Sequence, residues 1–244
     1  MGQKSRLLDS TRAVCTVNRD GIEPRLEIKS VLASRALNRL LANMATRTTF
    51  RQVFSPRWVN SFYYDTAHFD YLNSNLSGDV FRKKFRCRWY GKRELDAAEE
   101  IYFECKIKQA RRSTKKRVSL VDVCEPESFD FTNVEQLQAS IPGDSWTIAF
   151  KAAKHHCSLG VRYLRTYHAD AYSNRLTIDH GCYYFDPKIE RRSVFVPMTI
   201  VELKCADGDP QAVSTTISSL ELSPVRHSKY VTGLSYLMPI DGYW

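Results

Sequence analysis

The chain has 244 residues, with 36 Lys+Arg against 27 Asp+Glu for a formal charge of +9, and 43% of its residues are hydrophobic. Ten glycines and nine prolines exclude a collagen-like or broadly low-complexity chain, and the apolar fraction is too high for a disordered polycation. The length allows a real core, and the positive surplus points to an anionic partner: nucleic acid, an anionic membrane or a polyphosphorylated small molecule.

Residues 1–23 are read as a polar leader, partly flexible, and 24–240 as one domain. The leader has no apolar signal-peptide core, and Arg6 stands where a myristoylation pattern needs Ser or Thr. No run of about 18 apolar residues occurs anywhere, so no membrane span is expected; the cytoplasmic location expected rests on cysteine usage that reads as reduced thiols. From Arg25 the pattern becomes RLEIK, an alternating strand. Residues 30–46 show helical spacing of Leu32, Leu37, Leu40 and Leu41, with Ser30 as the predicted N-cap. NSFYYD (60–65) reads as an aromatic-rich strand, LSGD (76–79) as a turn, and VFRKKFRCRWY (80–90) as a long strand closed by Gly91. IYFECKIK (101–108) is the next strand, followed by a basic loop and KKRVSLV (115–121). Loops with one short helix near 133–140 are expected over 125–145, then a helix over 146–157. Strands are predicted at 161–169, 175–185 and 197–205, and helices at 210–221 and 227–237.

About eight strands at mostly short spacing favour antiparallel pairing. The predicted fold class is therefore α+β, and eight such strands could close into a barrel. Seven cysteines lack any CxxC or zinc-ligand spacing and read as reduced, mostly buried thiols. His155-His156 reads as a solvated or capping pair.

The placement of charge carries more than its total. Residues 82–93 and 106–117 each hold seven basic residues and no acid. A solvated face is the usual meaning of such runs, but the strand period of two argues otherwise. Arg82, Lys84, Arg86, Arg88 and Tyr90 share one face, and Phe81, Phe85, Cys87 and Trp89 the other. An apolar opposite face must be covered by protein, so the charged face becomes a barrel interior or one open side of a sheet. Three E-x-K triplets, Glu27–Lys29, Glu104–Lys106 and Glu202–Lys204, fall on three predicted strands. Cations with interspersed carboxylates suit a phosphate chain with a divalent metal. No Walker or GxGxxG phosphate loop competes.

At these residues the chain resembles the VTC (vacuolar transporter chaperone) polyphosphate polymerase domain, a branch of the triphosphate tunnel metalloenzymes. RLEIK, FYYDT (62–66), LSGDVFRKKFRCRWYG (76–91), FECK (103–106), TKKRVSL (114–120), YLRTYH (163–168), RLTID (175–179), IVELK (200–204) and RHSKYVTG (226–233) carry the likeness. It implies an eight-stranded antiparallel tunnel with flanking helices and a C-terminal helix near it. It also implies ATP or another nucleoside triphosphate as donor, phosphate or polyphosphate as acceptor, and Mn²⁺ or Mg²⁺ as cofactor. By the same resemblance Lys29, Arg86, Arg88, Lys106, Lys115, Arg117, Arg165, Arg175, Arg226 and Ser228 would bind phosphate. Glu202 would bind metal, and Lys229 would occupy the catalytic position. Tyr167, His168 and Asp179 are read as structural neighbours.

The resemblance has departures. Arg25-Leu26-Glu27-Ile28-Lys29 has one glutamate where triphosphatase relatives carry ExExK, which favours transfer to a phosphate chain over hydrolysis. Eukaryotic members add an SPX domain and transmembrane helices. This chain therefore reads as an isolated domain or a stand-alone, prokaryotic relative, with a membrane protein as one conceivable partner. Polyphosphate synthesis is the preferred function. Triphosphate or NTP hydrolysis and non-catalytic polyphosphate binding are the alternatives, and nucleic acid is not the expected partner.

Overall fold

The computed structural model describes residues 26–91, 98–110, 112–120, 130–189, 191–205 and 210–238. Residues 1–23, expected to form a leader, lie outside the described residues. Eight strands form one antiparallel sheet: β1 (Leu26–Ala33), β2 (Arg51–Thr66), β3 (Phe81–Gly91), β4 (Ala98–Gln109), β5 (Arg112–Ser119), β6 (His155–Ala169), β7 (Arg175–Phe185) and β8 (Ser193–Cys205). Their order across the sheet is β1-β8-β7-β6-β2-β3-β4-β5. The expected α+β fold with eight antiparallel strands is what forms. The ladder runs open from β1 to β5, and the sheet curls until Lys106 of β4 reaches Glu27 of β1 at 3.4 Å. That ion pair spans strands far apart in the ladder, so the two ends of the sheet face one another across an interior.

Alternation decides what each face meets. On β3 and β4, Phe85, Cys87, Trp89, Ile101, Phe103 and Cys105 are buried on the outer face. There they pack with Phe131, Leu137 of α3 (Val134–Ser140) and Trp146 and Phe150 of α4 (Ser145–Ala152). On the far side Leu176, Ile178, Val201 and Leu203 pack under α1 (Leu37–Arg47) and α5 (Pro210–Ser219) through Leu40, Met44 and Val213. Each such buried Leu or Ile contributes about 2 kcal/mol. The described cysteines 87, 105, 157, 182 and 205 are buried, as the reading of mostly buried thiols expected.

The third cluster lies inside the curl. Val59, Tyr63, Leu159, Val161, Tyr163, Tyr184 and Ile200 meet Tyr230, Leu234 and Leu237 of α6 (Lys229–Leu237), so α6 fills one end of the interior with apolar side chains. A Cβ at Gly233 would lie 2.5 Å from Tyr184 and 2.7 Å from Leu159, so glycine there lets the helix sit against the sheet. Asp65, fully buried in β2, ties this end together. Its carboxylate accepts from the amides of Tyr71 and Leu72 in α2 (Asp70–Ser77), both at 3.0 Å, and from the Tyr230 hydroxyl.

Five expectations are corrected. Ser30 is not a helix cap; it is a buried strand residue paired with Val201. β1 runs to Ala33 because all eight of its residues pair with β8, and the helix starts at Leu37 after a short 3-10 turn. The strand expected over 60–65 spans 51–66, since β6 pairs along its length through several bulges. LSGD is the end of α2, which the reading missed; Gly78 closes it at φ +79°, a left-handed position that suits glycine. The helix expected over 146–157 stops at Ala152, and His155 opens β6, with its ring stacked 4.3 Å from Phe150 and its Nε2 2.9 Å from the Tyr71 hydroxyl. His155 is thus a packed residue and not a solvated one.

Candidate active site

Beyond the apolar end held by α6, the inner face is charged. β3 contributes Lys84, Arg86 and Arg88, β4 contributes Glu104 and Lys106, and β5 contributes Lys115 and Arg117, neighbours by register. From the opposite wall come Glu27 and Lys29 of β1, Glu202 and Lys204 of β8, and Arg165 and Asp179 of β6 and β7.

The carboxylates are the organisers. Glu104 is 1% exposed and accepts from Arg86 at 2.8 Å and Lys115 at 2.6 Å. Burial alone would raise its carboxyl, but Arg86, Arg88 and Lys115 outweigh that and hold it far below the usual range. Asp179 is fully buried. It takes a two-point contact from Arg165, at 2.5 and 2.8 Å, and a hydrogen bond from Lys229. Burial raises Asp179, yet Arg165 and Lys229 bring it down to about 2. In return, despite burial, Asp179 and Tyr163 push the Lys229 ammonium up. That ammonium also lies 4.4 Å from the centre of the Tyr163 ring. Lys229 is therefore a fixed cation, placed by Asp179 at the start of α6.

Glu202 pairs with Lys204 at 2.8 Å, and Glu27 with Lys29 at 3.1 Å. Burial opposes ionisation of both, and on Glu27 so does Glu202; the surrounding lysines override this and keep both carboxyls low. In the ladder Glu27 faces Lys204 and Lys29 faces Glu202, which sets the two carboxylates side by side. Two adjacent hard oxygen donors suit Mg²⁺ or Mn²⁺ when phosphate oxygens and water complete the shell. Among the described residues no group of three or more His, Cys, Asp or Glu could hold a metal ion unaided.

The structure brings Lys29, Arg86, Arg88, Lys106, Lys115, Arg165, Glu202, Ser228 and Lys229 to this one interior. Arg88 is buried and donates to Ser61 Oγ at 3.2 Å and the Tyr163 hydroxyl at 3.3 Å. Ser228 caps α6, its Oγ accepting from the Val231 amide at 3.4 Å. Arg117 lies over the Tyr102 ring at 4.6 Å, its Nε buried without a partner. Two residues stand apart. Arg175 is exposed at the start of β7. Arg226 is exposed and donates to the Asn75 carbonyl at 3.0 Å.

Sequence reasoning passed over four residues of this site. Asp179 was taken as structural, although its phase with Arg175 on β7 could have marked it. Lys84 had the right phase and lies within the 76–91 motif, but no role was carried over to it. Glu104 was seen only as part of a triplet, yet it bonds Arg86 and Lys115, while Lys106 reaches Glu27. His227 is pulled down to about 4 by burial and by Lys229 and Lys29, so it is a neutral imidazole among cations, and its Nε2 is buried without a partner.

Comparison with known proteins gives one family. The model of the VTC domain matches residues 25–238. No curated protein matches the chain. Among solved structures, the chain is similar to HpAC1 of Hippeastrum, an adenylyl cyclase candidate described with a dominant triphosphatase activity. The TM-score is 0.54 at 15% identity, over 86% of this chain and 95% of that one. An adenylate cyclase candidate of Bacillus halodurans gives a TM-score of 0.54 at 11% identity, over 85% and 95%. A Pyrococcus horikoshii OT3 protein gives 0.50 at 12%, over 86% and 99%. At these identities the likeness concerns the fold alone. No helix among the described residues is long and apolar enough to cross a membrane.

Proposed function

The chain belongs to the VTC domain family, and on that premise we propose that its interior transfers the γ-phosphoryl group of ATP to phosphate or polyphosphate. The observation that carries this reading is the excess of cations over carboxylates on the inner face of β3, β4 and β5, where Glu104 is bonded by both Arg86 and Lys115 and acts on Arg88 as well, whose own hydrogen bonds go to Ser61 and Tyr163. A surplus of buried positive charge is costly without an anion, and a linear phosphate chain is the anion whose shape matches a tunnel.

Phosphoryl transfer asks a protein mainly for alignment and for charge placed where charge develops. In this reading Arg86, Arg88, Lys106, Lys115 and Arg117 hold the triphosphate from one wall. Lys29, Arg165 and Ser228 hold it from the other, and Arg175 and Arg226 draw the chain in at the mouths. Lys229, kept protonated by Asp179, neutralises charge on the transferring group and acts as a cation, not as a base. Glu202 with Glu27 would hold Mn²⁺ or Mg²⁺ together with phosphate oxygens; such an ion supplies Lewis-acid stabilisation. Helix α6 and its tyrosines exclude water from the closed end, which favours a phosphate oxygen over water as nucleophile. We further propose 24–240 as the functional domain and the cytoplasm as its place of action.

The test is incubation with ATP and Mn²⁺, followed by a gel for long phosphate chains and an assay of free phosphate. A ladder of chains is expected. Free phosphate without chains would replace this reading by triphosphate hydrolysis, and neither product would leave a binding module.

A further inference from the structure

Lys84 projects from β3 into the interior and is only partly exposed. Its ammonium donates to Ser228 Oγ at 2.8 Å, which is its one side-chain partner among the described residues. Every charged group acting strongly on it is positive: Lys29 from β1, Lys106 from β4, and Arg86 and Arg82 from its own strand. His227, on the segment before α6, is neutral. The acid of the adjoining strand, Asp65, has its oxygens taken by Thr66, Tyr71, Leu72 and Tyr230. The neighbouring lysines differ in this respect: Lys29 and Lys106 share Glu27, and Lys115 has Glu104. A half-buried amine ringed by cations and hydrogen-bonded to a serine hydroxyl is placed for an anion.

We propose that Lys84 is a further ligand of the phosphate chain, gripping a phosphoryl group beside Ser228 at the α6 end of the interior. The inference rests on the tunnel reading above. Burial first, and then the surrounding cations, draw the Lys84 ammonium down to about 7. A phosphate beside it reverses the electrostatic part of that effect, so the amine takes up a proton from solvent as the chain enters. The sign follows: with the protonated form favoured in the complex, binding strengthens through this residue as pH falls towards about 7, and proton uptake is largest above that.

The test is calorimetric titration of the full chain with inorganic triphosphate and Mg²⁺ near pH 8, about a unit above the Lys84 value, in two buffers of different ionisation enthalpy. The wild type should take up about one proton per triphosphate. Lys84→Arg, always charged, should bind without that proton. Lys84→Met should bind roughly ten- to a hundredfold more weakly, while its melting temperature without ligand stays equal or rises, because an amine held among cations is gone. Equal affinity and equal proton uptake in the wild type and both variants would overturn the role of Lys84 and leave the tunnel standing. A wild type that binds no triphosphate would overturn the tunnel reading and this inference with it.

Discussion

The two walls of the interior are built from the same residue types yet differ in balance. The β3–β4–β5 wall sets Lys84, Arg86, Arg88, Lys106, Lys115 and Arg117 around one buried carboxylate, Glu104. The opposite wall, with α6, matches Lys29, Lys204, Arg165 and Lys229 to Glu27, Glu202 and Asp179. One wall is short of acid; the other is nearly balanced, four cations against three carboxylates, with Glu27 also reaching Lys106 of the first. The difference assigns tasks. In the proposed function the acid-poor wall would supply affinity for phosphate, and the acid-rich wall alignment, the metal donors and the clamped Lys229.

The largest effect should come where the walls meet the reacting group. Lys229→Ala is expected to cut turnover by about 10² to 10³-fold while triphosphate binding to the acid-poor wall survives; a variant with unchanged turnover would remove Lys229 from the chemistry. Next, Glu202→Gln should weaken Mn²⁺ or Mg²⁺ binding by roughly 10- to 100-fold in a metal titration. Equal metal affinity in the variant would move the donors elsewhere. Asp179 tests the acid-rich wall through stability. Its carboxyl goes from the ordinary 3.8 to about 2 in the folded chain. Its contribution is therefore present above the unfolded value and is lost as pH falls through the folded one, about 2 kcal/mol in all. Denaturant unfolding of Asp179→Asn should show a deficit near neutral pH that narrows between roughly pH 4 and pH 2; a deficit independent of pH would contradict the clamp. The smallest effect is at the closed end. Gly233→Ala pushes α6 from Tyr184 and Leu159 and should cost about 1 to 3 kcal/mol of stability, with a smaller loss of activity as Lys229 shifts.

The contrast between the walls also explains what could be read from sequence. β3 was legible because Arg82 to Tyr90 alternate against Phe85, Cys87 and Trp89, with Lys83 the one charge on the apolar face, so period and composition agree. The motif matches placed Lys29, Glu202 and Lys229 in one interior. Pairing was not legible. Lys106 sits two residues from Glu104 but reaches Glu27, because the curl of the sheet brings β1 to β4. Asp179 looked incidental because its partners, Arg165 and Lys229, are 14 and 50 residues away in the chain. Local signals misled in the same way at Ser30, where helical leucine spacing lost to eight consecutive pairings with β8, and at 155–157, where a helix pattern gave way to the start of β6. Sequence carries phase and propensity; the balance of charge across a cavity depends on which strands meet.

The central claim is that the positive surplus of the interior exists for a linear phosphate chain. The most direct measurement is the melting temperature of the chain with and without inorganic triphosphate, at fixed Mg²⁺ and ionic strength, with sulfate at equal charge as the control. The account predicts a rise of several degrees with triphosphate at saturation and little with sulfate. No rise, or an equal rise with both anions, would contradict it.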